Sequence, residues 1–184
     1  MTVRLSKQAR REQLLDAAVA LVRSRGADGL TLVTLAEAAG VSRPIVYDHF
    51  GTRSGLLIEL YRRLDERHKT AIEAAVREAA PELDDVARVI GAAYFACVSE
   101  MPELAAVSAA VKGTPETEAV QRELLDGYVE LMAAALAPYS KLGADALRLR
   151  CVGVLGAAEA LASRPGGEEA LVALIVGGLL PRRC

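Results

Sequence analysis

The chain has 184 residues, 52% of them hydrophobic and 25% charged, with a formal net charge of -2. That excludes a disordered tail and suffices for one ordinary core or two small ones. There is no secretory leader pattern, the longest apolar runs fall short of the roughly 20 residues of a membrane span, and Cys97, Cys151 and Cys184 are too scattered for a disulfide frame. A cytoplasmic protein with reduced thiols and no membrane contact is expected. Charge is unevenly placed: residues 1–70 hold 12 Lys and Arg against 8 Asp and Glu, and the remainder 10 against 16. The basic end is the candidate nucleic-acid face.

In chain order, Ser6 caps a first helix whose apolar positions Leu14, Leu15, Ala18, Leu21 and Val22 recur at three and four residues. Gly26 closes it. After the turn ADG, Thr31 caps a short second helix through Ala39. Gly40 ends that helix, Val41 is expected as the buried pivot of a tight turn, and Ser42 caps a third. A fourth begins near residues 52–54 and runs on to just before Pro81. Further periodic segments follow at about 83–99, 102–111, 115–136, 144–162 and 168–180, separated by Gly and Pro at 112–114, 138–143 and 163–167. No stretch alternates as a strand does. The fold class is therefore all-α, with about nine helices.

The third helix, RPIVYDHF, poses the functional question. Together with TLVTLAEAA and the glycine-led turn it has the spacing of a helix-turn-helix. Ala36 is small enough for two helices to cross, and Leu35, Val41, Val46 and Phe50 supply a miniature core. Arg43, Pro44, Ile45, Tyr47, Asp48 and His49 are left wholly or partly outward, and Pro44 is tolerated because it falls in the first turn.

Each outward group has a use on DNA. Arg43 can donate to guanine O6 and N7, Ile45 or Pro44 can touch a thymine methyl, and Tyr47 and His49 can hydrogen-bond phosphates. Arg53, at the start of the fourth helix, can hold another phosphate. Asp48 repels phosphate, and is expected to accept from a cytosine amino group or to pair with Arg43 or Arg53. The helix is read as one that enters a major groove.

The run GLTLVTLAEAAGVSRPIVYDHFGTRSGLL resembles the DNA-binding domain of the TetR family of bacterial transcriptional regulators, through Thr31, Ala36, Gly40, Val41, Ser42, Tyr47, Phe50 and Arg53. The resemblance spans about residues 8–60 and implies that Thr31, Arg43, Pro44, Tyr47, His49 and Arg53 sit where family members contact DNA. Ser42 and Ile45 complete the candidate set. Leu32, Val33 and Asp48 depart from the pattern, so no base preference is carried over. The resemblance also implies a DNA-binding domain at 1–51 and an effector-binding and dimerisation domain at 52–184. It further implies a homodimer on a palindromic operator, most simply a repressor released by a small molecule.

For the dimer interface the apolar helices 151–162 and 168–180 offer Cys151, Gly153, Leu155, Gly156, Ala160, Leu171, Leu174 and Ile175. Tyr94, Phe95, Val98 and Met101, with Tyr128 and Met132, form stripes that are either plain core or the lining of a mainly apolar effector pocket floored by Leu64, His68 and Ile72. Catalysis finds no support. His49 and His68 lack metal-ligand spacing, no phosphate loop is present, and no serine sits in a nucleophile elbow. No catalytic residue, metal or cofactor is expected. The competing reading is an adaptor whose helix-turn-helix contacts protein rather than double-stranded DNA.

Overall fold

The computed structural model describes residues 5–111, 113 and 115–179. Among these it contains nine α-helices and no strand: α1 (Lys7–Arg25), α2 (Leu32–Ala39), α3 (Arg43–Phe50), α4 (Arg53–Glu78), α5 (Leu83–Glu100), α6 (Pro102–Ala110), α7 (Pro115–Leu136), α8 (Ala144–Leu161) and α9 (Gly167–Leu179). Two 3-10 turns add Ala27–Gly29 and Ala137–Tyr139. The expectations for Leu180 and Cys184, and for Lys112 and Thr114 in the linker, lie outside the described residues.

Local chemistry explains the ends of the short helices. Ser6 Oγ accepts from the Ala9 amide at 3.1 Å. Thr31 Oγ1 accepts from the Thr34 amide at 3.0 Å while Thr34 Oγ1 accepts from the Thr31 amide at 2.9 Å, a reciprocal cap that satisfies two otherwise orphaned donors. Such caps contribute about 1 kcal/mol. Gly40 ends α2 at φ 64°, a left-handed conformation that favours glycine, and donates to the Ala36 and Glu37 carbonyls. Ser42 does stand at the start of α3, but its side chain makes no capping bond. Val41 is half-buried rather than fully buried, and its amide donates to the Ala36 carbonyl at 3.0 Å, which helps to hold the turn. Where α3 passes into α4, a Cβ on Gly55 would stand 2.4 Å from the Phe50 carbonyl oxygen. A side chain there would force the two helices apart.

The chain divides into two compact units. The first runs to Asp65 and takes in Pro102–Gln121; the second is Glu66–Met101 with the residues from Arg122 onward. These units differ from the boundary after residue 51 read from the sequence, since the first part of α4 and all of α6 group with α1–α3.

In the first unit Leu14, Leu30, Leu35, Val46, Leu56 and Leu60 are wholly shut from solvent. Burying a leucine side chain contributes about 1.5–3 kcal/mol. Polar contacts then fix directions that apolar burial leaves free. Arg11 pairs with Glu59. Arg63 donates to Asp16 at 2.5 Å and to the Glu12 carbonyl at 3.1 Å, so α1 and α4 are joined at two levels. Arg23 donates to the buried Glu103 at 2.6 Å, which ties α1 to α6.

The second unit has its own core, including Val86, Ile90, Val129, Met132, Leu136, Leu147, Cys151, Leu171 and Ile175. Helix α9 packs on α5 and α8. A Cβ on Gly91 would come within 3.0 Å of Val172, so the small residue sets the α5–α9 approach. Among the described residues no single helix is long and apolar enough to cross a membrane.

Candidate nucleic-acid interface

Helix α3 is eight residues long and has two unlike faces. Val46 and Phe50, four apart, are 0% and 7% exposed and anchor it to the core. Ser42, Arg43, Pro44, Tyr47 and Asp48 are exposed, and Ile45 and His49 are half-buried. Thr31 is half-buried and occupied by its cap. Arg43 lies 3.8 Å from Glu37 with both side chains mostly solvated, a contact too weak to hold it back from a ligand. An exposed row of an arginine, a proline ring, a phenol and a carboxylate on so short a helix does nothing for the core. It can donate and accept along a base edge or a backbone.

The structure narrows two expectations, leaving Asp48 the cytosine alternative and giving Arg53 a structural bond beside any phosphate contact. Asp48 pairs with neither Arg43 nor Arg53: the partners among the described residues are Glu37 for Arg43 and Asp28 for Arg53, each at 3.8 Å. Asp48 points outward, and its carboxylate is available to an amino group or a cation. Arg53 is not simply a free phosphate ligand. Its Nε donates to the Leu30 carbonyl and its Nη2 to the Ala27 carbonyl, both at 2.8 Å, so the guanidinium clamps the turn that leads into α2.

His49 sits among charges that α1 supplies. Burial of the ring, then Lys7 and Arg11, and more weakly Arg10, hold its imidazole below the usual range, with Asp48 opposing them. Its Nδ1 is closed off from solvent and has no hydrogen-bond partner. Arg11 also lies 5.7 Å from the centroid of the Phe50 ring. The Lys7, Arg10 and Arg11 cluster and the Arg53 clamp were not picked out from the sequence. Basic residues spaced three and four apart at the start of α1 were the available signal for the cluster.

The second unit holds most of the effector candidates. His68 and Tyr128 are joined, Nδ1 to hydroxyl at 2.7 Å, and His68 Nε2 donates to the Ala93 carbonyl at 3.3 Å. Lys69 lies 5.0 Å from the Tyr128 ring centroid and directly over Gly127, where a Cβ would meet its Nζ at 2.3 Å. Tyr94 and Phe95 make an edge contact at 5.8 Å, and burial, with Glu159 and Cys97, pushes the Tyr94 phenol up. Met101 is half-buried, Met132 is in the core, and Val98 is 43% exposed. Leu64 is fully buried but belongs to the first unit.

The interface candidates separate by burial. Gly153, Gly156, Ala160 and Leu174 are exposed and Leu155 is half-buried. Cys151, Leu171 and Ile175 are each 1% exposed, packed into the unit's own core, and so present nothing to a partner. The correction has a simple cause: a helix apolar all round does not reveal from sequence which side its own chain covers. Among the described residues no group of three His, Cys, Asp or Glu side chains could hold a metal ion.

A short capped helix, a left-handed glycine turn and a second helix with an exposed polar face make a helix-turn-helix. Residues 14–60 match the family of bacterial regulatory proteins described as tetR. The likeness to that family is carried by these residues, which include α2, α3 and the start of α4. Among curated relatives, the transcriptional activator FasR of Mycolicibacterium smegmatis is 37% identical over 76 residues, 41% of this chain and 33% of that protein. The regulator BetI of Brucella canis is 28% identical over 97 residues, 53% of this chain and 49% of that protein. The chain thus spans about a third to a half of these relatives' lengths. Of solved structures, the fatty acid degradation regulator FadR from Bacillus halodurans superposes with a TM-score of 0.73 at 21% identity, covering 97% of this chain and 99% of that one. FadR from Bacillus subtilis, in complex with stearoyl-CoA, gives a TM-score of 0.73 at 19% identity over 92% of this chain and 99% of that one. These likenesses extend the TetR-like fold through the second unit. The two curated relatives are named as regulators of transcription.

Proposed function

We propose that the chain is a cytoplasmic repressor that reads a palindromic DNA operator as a homodimer and is released by a small, mainly hydrophobic effector. The observation that carries the DNA reading is the division of α3: two side chains hold the helix down while Arg43, Pro44, Tyr47 and Asp48 stand in solvent. Arg43 would read a guanine edge, Pro44 and Ile45 a thymine methyl, and Tyr47 and His49 the backbone. The test is the salt dependence of binding to duplex DNA. Phosphate contacts release counterions, so affinity should fall steeply and linearly on logarithmic axes as salt rises. A flat response with intact folding favours the protein-contact adaptor.

Support for the dimer comes from α8 and α9. Leu149, Val152 and Leu174 are 72%, 44% and 49% exposed, and a Cβ on Gly153, Gly156 or Gly177 would meet nothing within 4 Å. An apolar stripe dented by open glycines suits the close approach of a second copy's helices. Two copies would present two α3 helices to half-sites about 34 Å apart.

Support for an effector is the apolar second unit, where the His68–Tyr128 pair supplies directed polar groups. The stearoyl-CoA bound by the Bacillus subtilis FadR favours an acyl ligand class as the first to screen. A ligand acting on the 66–78 part of α4 would pull on the same helix that carries Arg53, Glu59 and Arg63 against the DNA-binding helices. Such coupling is reciprocal, so operator DNA must weaken the effector as much as the effector weakens DNA.

A further inference from the structure

His49 differs from the other outward groups of α3 in having one of its two ring nitrogens shut inside the protein. Nδ1 is closed off from solvent with no hydrogen-bond partner. The half-buried ring therefore offers only its Nε2 edge to a ligand. A neutral imidazole carries one N–H, and the nitrogen that can reach water or an acceptor is the cheaper place for it. Putting a second proton on the ring would bury an N–H with no acceptor. It would also add a positive charge beside Lys7, Arg10 and Arg11 of α1, with Arg11 itself held by Glu59 of α4 and with Asp48 the one carboxylate acting on the ring from its own helix.

We infer that His49 meets the DNA backbone as a neutral Nε2–H donor, fixed in that tautomer by its enclosed Nδ1, and adds no charge to the interface. The inference rests on the DNA reading proposed above. It gives the interface a division of labour: Lys7, Arg10 and Arg11 supply the positive field, and His49 supplies one directed hydrogen bond that fixes where a phosphate oxygen sits. Acidification of the surroundings then leaves the grip on DNA unaltered at this residue, unlike a histidine that charges on binding.

The test compares wild type with His49→Gln, which retains an amide donor and cannot take up a proton. Affinity for a pool of short random-sequence duplexes is measured at low salt at about pH 8 and about pH 6. The ratio of the two proteins' affinities should stay constant within about threefold, because His68, the chain's other histidine, is present in both. A rise of more than about threefold in wild-type affinity relative to His49→Gln on acidification overturns the inference, since it means that binding takes up a proton at His49. Nitrogen-15 shifts of the wild-type ring, read through two-bond couplings in the DNA complex at neutral pH, report the state directly and do not depend on the variant folding. The Nε2–H tautomer is expected, and either the imidazolium or the Nδ1–H tautomer refutes it. If wild type binds no DNA at either pH, the DNA reading itself fails and this inference with it, an outcome distinct from a pH-dependent ratio.

Discussion

Arg53 Nε donates to the carbonyl of Leu30 at 2.8 Å, so the first residue of α4 holds the backbone just before α2. With its second bond, to Ala27, it closes the turn from which the helix-turn-helix springs. Arg53→Lys keeps the charge but cannot reproduce the forked geometry. It should therefore lose nearly as much as Arg53→Ala, about 1 kcal/mol of stability given the partly solvated side chain. Urea denaturation measures the loss, and DNA binding should weaken alike for all sequences. Full retention of both by the lysine variant would restore Arg53 to the role of a plain phosphate ligand.

Arg43 makes one loose, exposed contact with Glu37. Arg43→Ala should leave the unfolding free energy within about 0.5 kcal/mol of wild type. It should reduce discrimination between operator and random DNA by about 1–3 kcal/mol. Competition binding measures the discrimination. An equal loss on both DNAs would move Arg43 from base to backbone.

Gly156 is a sharper probe of the dimer than any leucine. Its Cβ position is open within the chain, so Gly156→Gln should raise the helix stability of the isolated subunit by up to about 1 kcal/mol. In a close helix-to-helix interface the same side chain is an obstruction. Sedimentation should therefore show a dimer for wild type and a folded monomer for the variant. A dimer of unchanged affinity would place the interface elsewhere.

Much of this was legible in the sequence because it depends on contacts between near neighbours. Ser6, Thr31, Gly26 and Gly40 mark helix ends through bonds to residues three or four away, and Val46 and Phe50 declare the inward side of α3 by spacing alone. Arg53 shows the limit: its partners lie 23 and 26 residues back, and nothing in the local pattern separates a carbonyl clamp from a phosphate ligand. Cys151, Leu171 and Ile175 show another, since hydrophobicity on every side of a helix says that it is covered without saying by what. Ser42 and Thr31 looked alike as caps. Only Thr31 has a hydroxyl-bearing residue three positions on to complete the reciprocal pair.

Glu130 and Arg148 provide a pH test of the second unit. Arg148 Nε donates to Glu130 at 2.6 Å and Nη2 at 3.1 Å, and this holds the carboxyl below its usual range. A depressed folded-state pKa gives stability that is present above the unfolded value of about 4.3 and is lost as pH falls through the folded value. Both groups are solvated, so the effect is small. The stability difference between wild type and Arg148→Gln should shrink as pH falls below the ordinary carboxylate range. A difference that persists undiminished would show that Arg148 acts through packing instead.

The central claim is that α3 reads base sequence in a duplex, and selection from a random-sequence DNA pool at moderate salt, followed by sequencing, tests it most directly. The account predicts enrichment of a two-fold symmetric motif whose half-sites are about one helical turn apart. Enrichment of no motif by folded, dimeric protein would contradict it.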